Sequence, residues 1–114
     1  MNVFLENFGS RQDVLREFNI TEDSLRGYKI LLAWYGYGSY DGAAFVLFSR
    51  GRKLYEVNGS HCSCYGLEDQ WSPEETSAEA LMHRINEGSL GRDTYTSGGT
   101  FGDQLKEVLQ QWKG

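Results

Sequence analysis

The sequence predicts an α+β fold, a small antiparallel β-meander of three to four strands covered by helices and closed by a C-terminal amphipathic helix. Three observations point there. Apolar runs with β-branched and aromatic residues lie in the first half, at 29–35 and 43–49. Apolar stripes at helical spacing follow, at Ala78, Leu81, Met82 and Ile85 and again at Phe101, Leu105, Val108, Leu109 and Trp112. Fourteen glycines against one proline imply many short connections, because glycine enters tight conformations without steric cost.

In chain order, Ser10 has an N-cap hydroxyl, Asp13 sits at the third helical position, and Val14, Leu15 and Phe18 share one face. Asn19 ends that helix, and Thr21 caps a short turn closed by Gly27. Residues 29–35 read as a central strand and 43–49 as a second, so Trp34 and Phe45 belong to the core. Arg50-Gly51-Arg52 is the tight connection of a hairpin whose other strand is 53–57, and Asn58-Gly59 is a turn signal. Ser72-Pro73-Glu74-Glu75 carries a helix start: a capping serine, a proline at the first position and a capping-box glutamate. Gly88 stops that helix. A glycine- and serine-rich connection follows, with a short strand expected at 94–96. Helices covering one face of the sheet would bury both stripes. At 114 residues, 39% of them hydrophobic, the chain is read as one domain, 1–114, with one modest core.

Charge and cysteine usage narrow the function classes. A net charge of -5 argues against direct nucleic-acid binding, which rests on clustered Lys and Arg, while Arg50, Arg52 and Lys53 form only a local patch. An acidic chain instead suits a basic protein groove. The N-terminus lacks the basic region of a signal peptide, and no stretch reaches the ~20 apolar residues of a membrane span. Cys62 and Cys64 are too close in sequence to staple distant elements. These features predict a reduced, cytoplasmic protein without membrane association.

Four constellations offer chemistry. His61, Cys62 and Cys64, with His83 on the following helix, have the residue types for zinc, but a Cys-x-Cys step without a second pair falls short of the usual ligand spacing. The same residues with Glu68 or Asp69 have the types for a cysteine nucleophile, although adjacent His61 and Cys62 point apart in an extended chain. The loop from Gly36 to Gly42 misses the dinucleotide fingerprint by one residue and leads into a strand rather than a helix. With Tyr35 just before it, it does hold Tyr37 and Tyr40, and these are large side chains with polar tips that suit protein interfaces. The acidic pairs Glu22/Asp23, Glu68/Asp69 and Glu74/Glu75 read as solvated surface, the last also as complement to a helix N-terminus.

The stretch Tyr37-Gly38-Ser39-Tyr40-Asp41-Gly42-Ala43-Ala44-Phe45-Val46-Leu47-Phe48, then Lys53-Leu54-Tyr55-Glu56-Val57-Asn58-Gly59-Ser60-His61-Cys62-Ser63-Cys64-Tyr65-Gly66-Leu67-Glu68, followed by Gln70-Trp71 and Pro73-Glu74-Glu75, resembles a family of small bacteriophage and prophage proteins. The family brings no assigned activity and no catalytic residue. The resemblance implies a small soluble phage-type protein that binds and inhibits a host protein in the host cytoplasm. The expected kind is an anti-defence, anti-CRISPR-like inhibitor acting by steric block on a nucleic-acid-binding defence complex. Tyr35, Tyr37, Tyr40 and Asp41 are the expected contacts, with Tyr65, Glu68 and Asp69 beside them. That reading needs no catalysis, cofactor or metal. The alternative is a small Cys/His-dependent enzyme or zinc protein centred on His61, Cys62, Cys64 and His83. Oligomeric state is left open by the sequence.

Overall fold

Central strands with apolar residues on both faces need cover on both, and the computed structural model supplies it. It describes residues 3–37, 42–61, 66–88, 90–91 and 100–112. Five strands form one mixed sheet in the order β1-β2-β3-β4-β5: β1 (Val3–Glu6), β2 (Lys29–Tyr37), β3 (Gly42–Arg50), β4 (Lys53–His61) and β5 (Glu74–Thr76). The helices are α1 (Arg11–Phe18), α2 (Ala78–Glu87) and α3 (Gly102–Gln111), with a 3₁₀ turn at Glu22–Leu25. The α+β class holds. The sheet exceeds the expected meander by an N-terminal strand, β1, which runs parallel to β2, and by the three-residue edge strand β5.

A parallel pair needs a long crossover, and the segment with α1 and the 3₁₀ turn provides it. Those elements cover the first face, where Phe8, Val14, Phe18 and Leu25 pack on Ile30, Ala33, Tyr35, Val46, Phe48 and Val57. Helices α2 and α3 cover the second face, where Leu81, Ile85, Leu105 and Val108 pack on Leu32, Trp34, Phe45, Leu47 and Leu54. The single-face expectation is thereby corrected. Strands β2 and β3 lack hydrophobic–polar alternation because both their faces are buried. A bulge at Leu31 shifts the register between Ile30 and Leu32 and keeps each set on its own side.

Local chemistry sets the element ends. The Ser10 hydroxyl accepts from the Asp13 amide (3.3 Å), and Asp13 Oδ2 accepts from the Gly9 amide (2.8 Å), a reciprocal cap. These bonds, the Gly9 amide first and then the Arg16 side chain, hold the Asp13 carboxyl below its ordinary range. Asn19 ends α1 in the left-handed conformation, φ 56°. Helix α2 starts five residues later than the Ser72 signal implied. Ser77 is its N-cap, accepting from the Ala80 amide at 3.1 Å, and residues 74–76 pair with β4 instead. The capping-box pattern at Ser72–Glu75 is local, whereas strand pairing recruits the same backbone to an open sheet edge.

The turn expected at Asn58-Gly59 is likewise absent, and β4 runs through to His61. A Cβ at Gly59 would sit 3.0 Å from Leu67 Cδ2 and 3.3 Å from Phe18 Cε1, so this glycine serves close packing rather than chain reversal. The strand expected at 94–96 lies outside the described residues. Among the described residues no helix is long and apolar enough to cross a membrane.

Candidate functional site

Register brings the sequence-predicted segments to one end of the sheet. Tyr37 pairs with Gly42 and Gly42 with His61, so the anchors of the β2–β3 connection and the end of β4 are neighbours. Gln70 ties the next segment to the same place. Its side-chain amide accepts from the Ser60 amide (2.8 Å) and donates to the Ser60 and Gly66 carbonyls (2.7 Å each). The side chain thus hydrogen-bonds to β4 as a neighbouring strand would, beyond the point where β5 stops. Leu67 is buried against the first face, and Trp71 stacks on Phe48 with ring centroids 5.4 Å apart.

The predicted contact residues divide. Glu68 and Asp69 are exposed at this end, Asp69 in a left-handed conformation with φ 67°. Tyr35 is not at the surface. It is 2% exposed and packs on Phe8 with centroids 5.2 Å apart, so a core position replaces the expected contact. The reason is parity: Tyr35 lies two residues beyond Ala33, on the strand face that meets α1. Tyr40, Asp41 and Tyr65 lie outside the described residues, as does the side chain of Tyr37. The same holds for Cys62, Cys64 and the side chain of His61, while His83 is exposed on α2.

The second face holds features that sequence reasoning missed. Glu56 on β4 is 5% exposed beneath α2, and Arg84 donates to its Oε2 at 2.6 Å. Asn58 donates to its Oε1 at 2.8 Å. Burial alone would raise the Glu56 carboxyl, but hydrogen bonds from Arg84, Asn58 and Thr76, with the Arg84 charge, outweigh it and hold the group below its ordinary range. The signal in sequence was a glutamate inside an apolar strand, and its partner lay 28 residues away.

Beside this pair opens a cleft of about 360 Å³, lined by Trp34, Ala43, Phe45, Asn58, Arg84 and Phe101 among others. Phe101 stacks on Phe45 (5.1 Å, 19°) and lies 4.8 Å from Trp34, so one wall is aromatic. Trp34 is 2% exposed, and its indole N–H finds no acceptor among the described residues. Gly91 fixes the lower corner: its carbonyl accepts from the amides of Phe101 (3.1 Å) and Gly102 (3.2 Å), anchoring the start of α3.

Charge separates the two faces. Around α1 and the 3₁₀ turn, Asp13 and Glu17 pair with Arg16, Glu22 with Arg11, and Asp23 with Arg26. On the outside of α2 and α3, Glu79, Glu87, Asp103 and Glu107 are exposed and form no ion pair among the described residues. The nearby Arg84 is already engaged by Glu56, which leaves Lys106 as the counter-charge carried by these two helices. No protein-family model matches the chain, and neither a curated protein nor a solved structure does.

Proposed function

We propose that this chain is a recognition protein of the phage type, which binds a basic surface of a host protein and blocks it sterically. The reading extends to an anti-defence, anti-CRISPR-like inhibitor, whose target would be a nucleic-acid-binding groove or an assembly interface. One observation carries it: among the described residues, Glu79, Glu87, Asp103 and Glu107 over α2 and α3 form no ion pair, whereas the carboxylates over α1 pair with nearby arginines. A surface with several uncompensated carboxylates attracts a basic groove, speeds encounter and competes with phosphate for the same Lys and Arg side chains. Glu68 and Asp69 are exposed apart from that surface, in the segment whose Leu67 and Trp71 pack on the first face.

The test compares the wild-type chain with a charge-reversed variant, Glu79→Lys/Glu87→Lys/Asp103→Lys/Glu107→Lys, as baits in a bacterial host lysate. The reading expects a stoichiometric partner on the wild type, released by salt, with affinity lowered at least about tenfold in the variant. A partner held equally by both baits, or none on either across lysates of candidate hosts, would overturn it.

A further inference from the structure

We propose that the cleft between β2–β3 and the start of α3 is a binding site for a small planar aromatic acid. The proposal concerns the interior of the second layer and stands apart from the partner reading, which concerns its exterior. At about 360 Å³ the cleft falls at the lower end of the range usual for small-ligand sites, about 300–1,000 Å³. Its aromatic wall of Trp34, Phe45 and Phe101 favours a flat ring over a branched aliphatic body.

Its polar groups fix the rest of the occupant. The Trp34 indole N–H is a buried donor without an acceptor among the described residues, a costly state for a group that an acceptor oxygen would satisfy. Arg84 gives one N–H to Glu56 and stands 42% exposed, so further donors of its planar fork remain for a second acceptor. The Asn58 amide already donates to the same carboxylate. Trp34 and Arg84, both lining the cleft, thus have donor capacity left over, and an occupant with acceptor oxygens would use it. Glu56 offsets part of the Arg84 charge and leaves its exposed side cationic, so a singly charged carboxylate suits the site better than a multiply charged phosphate.

Benzoate is the probe, read through the indole N–H resonances in a ¹H–¹⁵N spectrum. The chain has three tryptophans, so Trp71→Phe and Trp112→Phe assign the Trp34 signal by elimination. Benzoate should shift that signal saturably, with half-saturation at about millimolar concentration for so small a ligand. Acetate, lacking the ring, and benzyl alcohol, lacking the charge, should bind at least about tenfold more weakly. Ala43→Leu fills the cleft and should abolish the shift. Arg84→Lys keeps a cation for Glu56 but loses the fork, and should weaken benzoate while the rest of the spectrum stays folded. A Trp34 signal unmoved by benzoate, an equal response to acetate, or undiminished binding in both variants would overturn the proposal.

Discussion

Single residues decide two local outcomes whose cost can be stated. Glu56 is a buried carboxylate that depends on Arg84, and removing one partner of such a pair is worse than removing both. Arg84→Met should destabilise the fold by about 1–3 kcal/mol, below the fully buried case because water screens the half-exposed guanidinium. Glu56→Gln/Arg84→Met should recover much of that loss in urea denaturation. The same group sets a pH dependence. Its folded pKa lies below the ordinary 4.5, so its contribution is complete above 4.5 and drains away as pH falls through the lower folded value. Glu56→Gln should flatten that acid limb. Gly91 is the other such position, with φ +76° and a Cβ that would lie 2.6 Å from Gly102 backbone atoms. Gly91→Ala should cost about 2 kcal/mol or more and lower the melting temperature, since both strain and a backbone clash oppose it.

At the scale of elements, Gln70 replaces a strand with a side chain. Gln70→Ala removes two hydrogen bonds that tie residues 66–70 to β4 and a third to the Gly66 carbonyl within that segment. It should cost about 1 kcal/mol, with faster hydrogen exchange at the Ser60 amide. The elements also show which signals the sequence carries. The apolar runs of β2 and β3, the Gly51-Arg52 hairpin, the Ser10–Asn19 helix and the stripe of α3 were legible because periodicity and capping are local properties. β1 was not, because four residues show too little periodicity to distinguish a strand from a loop. The Ser72–Glu75 and Asn58-Gly59 signals misled for one reason: each is sound locally and overruled by pairing at a sheet edge or by Leu67 and Phe18 closing on a glycine. Tyr35 looked like a contact because aromatic character is visible in sequence and strand parity beside a bulge is not. The ion pair between Glu56 and Arg84, and the cleft beside it, join β2, β3, β4, α2 and α3 and have no local signature at all.

Across the whole molecule, the sheet divides charge as well as core. Among the described residues, the α1 layer pairs its acids with nearby arginines, whereas α2 and α3 present Glu79, Glu87, Asp103 and Glu107 to solvent without an ion pair. At the first-turn positions of Glu79 and Asp103, Lys opposes the helix dipole by about 0.3–1 kcal/mol each. Apart from those positions these exposed charges add little to folding, so the reversal should lower the denaturation midpoint modestly while weakening partner binding much more. Stability and recognition would thus separate on one variant, which a structural role for those residues does not allow. The most direct measurement is hydrogen–deuterium exchange of the chain with and without its captured partner. The account predicts new protection over α2 and α3 with α1 unchanged, whereas protection over α1 and the 3₁₀ turn, with α2 and α3 unaffected, would contradict it.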